Sequence, residues 1–541
     1  MPVQTGGEAV IDTLIANNVD TVFGLPGAQL DPIFAALHDR QDKIKIYHSR
    51  HEQGCAYMAY GYAASTNKTG VCFIVPGPGL LNAGAAMVTA YACNSPVLYF
   101  SGQLRANMID KGWGALHEIK DQFGLAGHLV KWSDRITHAS EAPGRLNAAL
   151  SEIRRGRQRP VYLESPFDIL KEQGAVTKPE IAETSHSNPE LDPDQIDAIA
   201  KQLATASNPM IIAGGGAMDA GPEILALAEK INAPIVLTQN GLGAIDSRNE
   251  RVFSQAGGYG LWKEADVVIA FGTRLFPAAM TYGHKGLSII KVDIDPTELS
   301  RLPVPLTGVV ADSADAASQL SSAVEAHAPS APPDRSGWTD GARAQLETDL
   351  KKIEPQRELL NVIREEITED GIFVSDLTQL YFASQDAYPV YSPRSYIQPS
   401  YQGTLGHAVG TALGVKIGNP DRPVICVAGD GGFMFTVQEL ATAAKYNIGV
   451  IFLVMNDSAF GNVKRILQEN YGGREICADL HNPDFVKLAD SFGIDARKVN
   501  SPATLRQALR HGVDSKGPML IEYEAPEFPS PWHLLHRKPV R

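Results

Sequence analysis

The stretch VICVAGDGGFMFTVQELATAAKYNIGVIFLVMNDSAFG, residues 424–461, constrains the fold more than any other part of the sequence. Its two apolar runs, VICVA and VIFLVM, have the length and composition of buried strands. Glycines interrupt the chain after the first run, and TVQELATAAKY has the spacing of a helix. A strand, turn, helix, strand unit predicts a parallel sheet, because the crossover helix returns the second strand in the direction of the first.

Polar residues follow both predicted strands. Asn456 and Asp457 follow the second, and the turn after the first consists of Gly429, Asp430, Gly431 and Gly432. In such units, ligands bind at the carboxyl ends of the strands. Glycine N–H groups can approach phosphate oxygens, and carboxylates are hard oxygen ligands for Mg²⁺ or Ca²⁺. The segment therefore predicts a metal-diphosphate site, although Gly-Asp-Gly-Gly alone also fits a structural turn.

Length, charge and cysteine content exclude several classes of protein. A chain of 541 residues is too long for one core, and at about 150 residues per domain it predicts about three or four domains. The net charge of −13 argues against nucleic acid or an anionic membrane surface as a partner. The five cysteines form no C-x-x-C pair, which favours a reducing cytoplasm. The sequence contains no run of about 18 apolar residues, so it predicts no membrane-spanning helix.

The rest of the chain alternates between strand and helix patterns. Apolar strand runs occur at TVFG, VCFIV, PMIIA, DVVIAFG and SIIKVDID. This alternation predicts an α/β protein built from doubly wound parallel sheets. Segments 172–195 and 326–337 are rich in linker residues, which gives domains at residues 1–171, 190–328 and 355–541. Three glycines at 214–216 lack the G-x-G-x-x-G spacing, so a structural turn is favoured there over a dinucleotide turn.

The spacing of the two polar clusters resembles a known signature. In this sequence 24 residues (432 to 455) separate Gly-Asp-Gly from Asn456. This resembles the GDG…NN signature of enzymes that use thiamine diphosphate (ThDP), with Asp457 in place of the second asparagine. The resemblance implies that Asp430, Asp457 and the backbone carbonyl of Ala459 hold Mg²⁺, and an aspartate keeps the oxygen ligand. The next residues of the motif would contact the cofactor: Phe460 and Gly461.

Three α/β domains with this motif in the last resemble the pyrimidine, middle and diphosphate domains of ThDP enzymes, especially the acetolactate synthase branch. The first domain carries further matches in order. RHEQG at 50–54 resembles the stretch that contains the family's catalytic glutamate, which assigns that role to Glu52. GLPG, PGPGLLN and SGQ resemble other motifs of that domain. They contribute Pro26 and Asn82 as implied cofactor contacts and Gln103 as an implied catalytic residue.

In ThDP enzymes a carboxylate hydrogen-bonds the pyrimidine ring of the cofactor, whose own amino group then deprotonates the thiazolium carbon. The resemblance gives the first task to Glu52. It also implies that the Gly403 carbonyl accepts from the amino group and that Leu405 supports the bend between the two rings. Thr378 and Gln379 correspond to diphosphate contacts in acetolactate synthases.

The substrate side of the site is less specific in the sequence. Aldehyde-releasing decarboxylases of the family carry a His-His pair after the third strand, whereas SGQLRANMID has none and places Gln103 there. His117 and Lys131 align with positions near the substrate or a second cofactor, but either also fits an ordinary surface residue. GTRLFPAAMTYG departs from the stretch that acetolactate synthases use with FAD. This departure speaks against FAD, which stays an alternative.

These patterns predict an enzyme that uses ThDP and Mg²⁺ to form or break a carbon–carbon bond in 2-oxo acids, with acetolactate synthase-like carboligation after decarboxylation. One alternative is a decarboxylase or lyase for a larger 2-oxo acid, a 2-hydroxyacyl-CoA or a diketone. Another is a non-catalytic regulatory protein that binds a nucleotide in the middle domain. The family resemblance implies a homodimer or homotetramer with active sites between chains.

Overall fold

The computed structural model describes residues 3–177, 180–183, 188–276, 278–327 and 333–541. These residues contain three six-stranded sheets, and each sheet consists of parallel strands only. A short antiparallel pair, Val3–Thr5 with Gln173–Ala175, closes the first part of the chain. The predicted α/β class with three parallel-sheet domains is confirmed.

The strands of each sheet follow the crossover order of doubly wound folds. In spatial order the N-terminal sheet contains Lys45–Tyr47, Thr21–Gly24, Gly70–Ile74, Val97–Gln103, Val161–Pro166 and Trp132–Arg135. The middle sheet contains Val252–Phe253, Ile235–Leu237, Pro209–Ala213, Val267–Phe271, Ser288–Asp293 and Thr307–Val310. The C-terminal sheet contains Tyr396–Ile397, Ile372–Ser375, Val424–Gly429, Val450–Asn456, Met519–Glu524 and Asp495–Val499.

Helices connect these strands. Those around the N-terminal sheet are Gly6–Ala16, Asp31–His38, Glu52–Thr66, Pro78–Ala92, Gln122–Gly127, Ala142–Arg154 and Phe167–Lys171. Those around the middle sheet are Pro193–Thr205, Gly221–Ile231, Gln255–Trp262, Pro296–Ser300 and Ser313–Val324. The remaining helices are Ser336–Leu350, Glu354–Glu366, Gln379–Ala387, Ala408–Gly418, Asp430–Met434, Leu440–Tyr446, Gly461–Asn470, Phe485–Ser491, Pro502–Ser515 and Trp532–Leu535.

Both faces of the N-terminal sheet are buried. In the strand Gly70–Ile74, Cys72 and Ile74 belong to one core cluster. Val71 and Phe73 of the same strand belong to another. Successive side chains of a strand point to opposite faces, so each face has its own core, as a parallel sheet requires.

One of these cores joins the first and last sheets. The helix Glu52–Thr66 packs against the helix Ala408–Gly418, and both contribute to the same core cluster. Small residues permit the contact: a Cβ on Gly414 would lie 1.9 Å from the Met58 carbonyl oxygen, and one on Gly61 would lie 2.1 Å from that of Thr411. This close contact fixes the helix that begins at Glu52 relative to the C-terminal sheet.

Two local predictions differ from the structure. The Gly-Asp-Gly-Gly segment, predicted to be a turn, forms the short helix Asp430–Met434 directly after its strand. The predicted linker at 172–195 begins with the strand Gln173–Ala175, because that segment pairs with the N-terminal strand Val3–Thr5. Parts of both predicted linkers, residues 178–179, 184–187 and 328–332, lie outside the described residues.

Candidate functional site

Three neighbouring strands of the C-terminal sheet have their carboxyl ends along one side of the sheet, the C-terminal edge. Ile372–Ser375 pairs with Val424–Gly429, which in turn pairs with Val450–Asn456. Because all three are parallel, the segments that follow them meet at one edge. These segments carry the predicted diphosphate and metal residues: Thr378, Gln379, Gly429, Asp430, Gly431, Gly432, Asp457, Ala459, Phe460 and Gly461.

Asp430 and Asp457 form a carboxylate pair at this edge. Asp430 is 1% exposed, and its Oδ2 accepts a hydrogen bond from Nδ2 of Asn482 at 2.5 Å. Burial raises the pKa of Asp430. Desolvation and repulsion by Asp430 raise the pKa of Asp457 to about 6. A cation between the two carboxylates would remove this repulsion.

The backbone around the pair explains the glycines of the motif. A Cβ on Gly461 would lie 2.2 Å from Oδ2 of Asp457, and one on Gly431 would lie 2.5 Å from the ring of Phe460. The chain is held there by Phe460, whose N–H donates to the Ala478 carbonyl at 2.8 Å. A side chain at either glycine would displace the carboxylate or the ring beside it.

Two other glycines are not crowded. A Cβ on Gly403 or Gly429 would meet no atom closer than 3.7 Å. Leu405, between the glycines of the Gly403–Gly406 turn, is 36% exposed. Gly432 is crowded instead, since its Cβ would lie 2.7 Å from Oδ2 of Asp376.

Asp376 was missed by the sequence analysis. It is 1% exposed and accepts hydrogen bonds from the N–H groups of Leu377 at 2.9 Å and Gly406 at 2.6 Å. Burial raises its pKa to about 7. The carboxylate therefore connects the Gly403–Gly406 turn to the Asp430 helix. Its place directly after a buried strand, in SDLTQL, is the signal that could have identified it.

The side chains of Thr378 and Gln379 form hydrogen bonds within the protein. The Thr378 hydroxyl caps the helix Gln379–Ala387 by accepting from the Tyr381 N–H at 3.0 Å. The Gln379 amide donates to Oδ1 of Asn462, in the helix Gly461–Asn470. Both residues lie beside the turns of the site, and both stay predicted diphosphate contacts.

The second cluster of predicted site residues lies beyond the carboxyl ends of strands of the N-terminal sheet, the N-terminal edge. Glu52 begins its helix, and Oε2 of its carboxylate accepts a hydrogen bond from Nδ2 of Asn82 at 2.9 Å. Gly79 lies against the Glu52 side chain, since its Cβ would be 3.4 Å from Cγ. Pro26 is exposed at the end of the neighbouring strand. The structure therefore brings Glu52 and Asn82 together, in the first domain.

Gln103 stays a predicted catalytic residue, whereas Gln122 takes a role that the sequence did not indicate. Gln103 is 4% exposed, and its Oε1 accepts from the Leu104 N–H at 2.7 Å, so the side chain turns back onto its own backbone. Buried Gln122 accepts from the Gly77 N–H at 2.7 Å and donates to the Gly102 carbonyl at 3.2 Å. It connects the PGPG turn, which precedes Asn82, to the end of the strand Val97–Gln103.

The two basic residues with open roles lie in different surroundings. Nδ1 of His117 is 2.6 Å from Oε1 of Gln29, next to the GLPG turn, and the His117 carbonyl lies against Gly77. Lys131 donates to three carbonyls at and beyond the end of the helix Ala142–Arg154: those of Glu152, Arg155 and Arg157. Desolvation lowers the pKa of Lys131 to about 8. Its contacts are those of a structural residue.

The residues at these two edges fit ThDP and a divalent cation. The C-terminal edge has two carboxylates and the backbone of Ala459, which are hard oxygen donors, beside the uncrowded glycines Gly403 and Gly429. Among the described residues no group of three His, Cys, Asp or Glu side chains forms a self-sufficient metal site. A cation here would need oxygen ligands from elsewhere, and a diphosphate supplies them.

A cavity of about 680 Å³ lies at the carboxyl ends of the middle strands, away from both edges. The triple glycine contributes Gly215 and Gly216 to its wall, together with Arg274 and Asp293. Gly214 and Gly216 also pack tightly on Gly272. This tight packing explains why glycine occurs at these positions, in line with the structural turn that the sequence favours. The cavity leaves room for a bound molecule.

Comparison with known families identifies the class of protein. Three family descriptions match in order: thiamine pyrophosphate enzyme N-terminal TPP binding domain over residues 4–125, central domain over 196–320, and C-terminal TPP binding domain over 376–523. They include both edges described above. The chain belongs to the thiamine pyrophosphate enzyme family, and it is an enzyme.

Curated relatives resemble the chain over nearly its whole length. A probable acetolactate synthase large subunit of Methanococcus aeolicus is 32% identical, over 96% of this chain and 92% of the relative. An acetolactate synthase large subunit of Haemophilus influenzae is 30% identical, over 96% and 93%. A probable 2-ketoarginine decarboxylase of Pseudomonas aeruginosa is 30% identical, also over 96% and 93%. The enzyme is therefore of the acetolactate synthase type. No described helix is long and apolar enough to cross a bilayer.

Proposed function

We propose that this enzyme uses ThDP and Mg²⁺ to decarboxylate a 2-oxo acid and join the remaining fragment to a second 2-oxo acid. One observation carries the proposal: the carboxylate pair Asp430–Asp457 lies beside two uncrowded glycines, Gly403 and Gly429. A doubly acidic site next to half-buried glycine backbone suits a cation shared with a diphosphate. When bound, ThDP supplies a carbon nucleophile that adds to the carbonyl of a 2-oxo acid.

The residues of the C-terminal edge bind and orient the cofactor. Asp430, Asp457 and the Ala459 carbonyl would hold the cation, and N–H groups at the start of the Asp430–Met434 helix would bind the diphosphate. The Gly403 carbonyl and the Leu405 side chain, in the Gly403–Gly406 turn, would orient the rings. Asp376 supports this turn by accepting the Gly406 N–H.

Glu52 holds and exchanges a proton at the pyrimidine ring. It stands at the first position of its helix, and the Asn82 amide fixes one of its two carboxylate oxygens. The other oxygen is then available to a ring nitrogen. A carboxylate within hydrogen-bonding reach of that nitrogen can act as a general acid and base.

We propose that Glu52 and the carboxylate pair of one site come from two copies of the chain, in a dimer or a dimer of dimers. Exposed apolar side chains occur near both edges, as expected of a surface that a second copy of the chain covers. Near the N-terminal edge they are Leu81, Trp113 and Leu116. Near the C-terminal edge they are Leu405, Met434, Phe435 and Val463. The five free cysteines suit a reducing cytoplasm.

A second candidate is decarboxylation of a larger 2-oxo acid without carboligation. The relative of Pseudomonas aeruginosa favours it, because that protein is named a decarboxylase of 2-ketoarginine at the same level of identity. FAD or another nucleotide in the 680 Å³ cavity is compatible with either activity.

A substrate screen distinguishes the two candidates. The protein loaded with ThDP and Mg²⁺ is incubated with pyruvate, 2-oxobutanoate and 2-ketoarginine, singly and in pairs, and both carbon dioxide and organic products are measured. Acetolactate or a homologous hydroxy-oxo acid supports carboligation. Carbon dioxide with an equal amount of aldehyde supports the decarboxylase. Inertness toward every 2-oxo acid would contradict both.

A further inference from the structure

Glu439 is a buried carboxylate of the C-terminal domain that contacts the N-terminal domain. It is 0% exposed, and both of its oxygens lie 3.2 Å from the Arg50 N–H. The Thr442 hydroxyl donates to its Oε2 at 2.7 Å. A Cβ on Gly54 would lie 2.4 Å from its Oε1, so only glycine permits this approach.

These contacts lie where the Glu52 helix begins. Arg50, whose N–H donates to Glu439, and the N-cap residue His51 immediately precede Glu52. The first N–H groups of a helix have no partner within it, and a negative charge there is favourable. Glu439 satisfies the Arg50 N–H just before the helix, while His51 itself caps the Gln53 N–H at 3.2 Å.

Glu439 is also close in sequence to the carboxylate pair. The chain runs from the helix Asp430–Met434 through the turn Val437–Glu439. Thr436, within this segment, donates to the Gly406 carbonyl at 3.1 Å. The same short segment therefore begins at the metal-diphosphate edge and ends at the start of the Glu52 helix.

We infer that Glu439 is a positioning residue for Glu52. It fixes the first turn of the helix and with it the place from which the Glu52 carboxylate reaches the cofactor. The inference rests on the proposed function of Glu52. Glu439 does not touch the reacting atoms, so it acts only through Glu52.

The main test variant is Glu439→Gln, which keeps the side-chain volume but replaces one acceptor oxygen by a donor that faces a backbone N–H group. The control is Asp386→Asn, because Asp386 is likewise a carboxylate that accepts a backbone N–H from another domain, that of Ala256 at 2.8 Å. If Glu439→Gln does not fold, Thr442→Val removes one donor to Glu439 and tests the same contact.

The first measurement is backbone amide hydrogen exchange in the cofactor-free protein, followed over residues 50–58 by mass spectrometry. We expect exchange to be faster by about tenfold in Glu439→Gln and unchanged in Asp386→Asn, because a charge-assisted hydrogen bond to the helix start is lost. Unchanged exchange at this helix would overturn the inference without any reference to catalysis.

The second measurement is a double-mutant cycle on thiazolium hydrogen exchange in bound ThDP. Glu439→Gln should slow exchange about tenfold in the wild-type background and less than about twofold in the Glu52→Gln background, since it acts through Glu52. Equal slowing in both backgrounds would overturn the positioning role. If Glu52→Gln itself has no effect, the proposed function fails instead, and the amide exchange result still decides whether Glu439 holds the helix.

Discussion

Two carboxylates at contact distance repel each other unless a proton or a cation lies between them. Asp430 and Asp457 are such a pair, and repulsion by Asp430 helps to raise the pKa of Asp457 to about 6. A divalent cation is the partner that we propose for the pair, because it would cancel this repulsion and could be shared with a diphosphate. The departure from the family's asparagine at 457 therefore strengthens the repulsion and keeps the oxygen ligand.

Asp430→Ala and Asp457→Asn should affect cofactor binding differently. Asp430→Ala removes a buried ligand, and the affinity for ThDP with Mg²⁺ should fall by at least about tenfold. Asp457→Asn should retain most of the affinity, because the family ordinarily uses asparagine at this position. Isothermal titration calorimetry measures both, and undiminished ThDP binding by Asp430→Ala would refute the assignment of the metal site.

Glu52→Gln should separate binding from activation. Glutamine preserves the volume and can still form a hydrogen bond, so ThDP should remain bound through the diphosphate. It cannot exchange a proton with the ring, and thiazolium hydrogen–deuterium exchange should slow by about 10² to 10⁴. Quenched-flow proton NMR measures this rate, and exchange at the wild-type rate would show that Glu52 is not the activating residue.

The sequence predicts residues whose chemistry is local and misses those that act across the fold. Asp430 and Asp457 follow strands that are evident from their apolar composition, so their proximity could be predicted. Asp376 and Glu439 act on backbone groups 30 and 389 residues away along the chain. The place of Asp376 after a buried strand marks it as a candidate, but no local pattern reveals which distant N–H group either carboxylate accepts, because that depends on how the chain folds.

At the scale of elements, the contact between the helices Glu52–Thr66 and Ala408–Gly418 depends on glycines, which have no side chain. Carbonyl oxygens of each helix lie where a Cβ of the other would be, at Gly414 and Gly61. Side-chain volume added in a close-packed core cannot be accommodated without movement of the backbone. The glycines therefore fix the distance between the Glu52 helix and the C-terminal sheet.

Gly414→Ala should destabilise the protein by about 1–3 kcal/mol, because the new methyl group forces the two helices apart. The matched control is Gly144→Ala, at a helical glycine whose Cβ would meet no atom within 4 Å. There the better helix propensity of alanine should stabilise by up to about 1 kcal/mol. Urea midpoints of the cofactor-free proteins measure both, and a neutral Gly414→Ala would disprove the tight contact.

The elements that the sequence predicts well are long and apolar. Strands such as Val450–Asn456 and Val267–Phe271 are buried throughout their central residues, and their composition alone identifies them. The strands Val252–Phe253 and Tyr396–Ile397, at sheet edges, have only two residues each. Such segments are too short to show a period, and tertiary pairing determines them.

At the scale of the whole molecule, the proposed catalytic groups lie on different domains. The Glu52 carboxylate contacts Asn82 in the first domain, and the Asp430 carboxylate contacts Asn482 in the last. Within the chain, the Glu52 helix is already packed on the Ala408–Gly418 helix. In the proposed dimer, Glu52 of one copy is combined with the carboxylate pair of another.

Subunit complementation tests whether each active site takes Glu52 and Asp430 from two different copies of the chain. Chains with Glu52→Gln and chains with Asp430→Ala are coexpressed with different tags, and mixing is verified by pull-down. Each variant alone should have little activity toward the 2-oxo acid identified in the screen. If every site takes Glu52 from one chain and Asp430 from another, random pairing leaves about a quarter of the sites intact, and about a quarter of wild-type turnover should return. Mixed oligomers no more active than either variant alone would contradict the account.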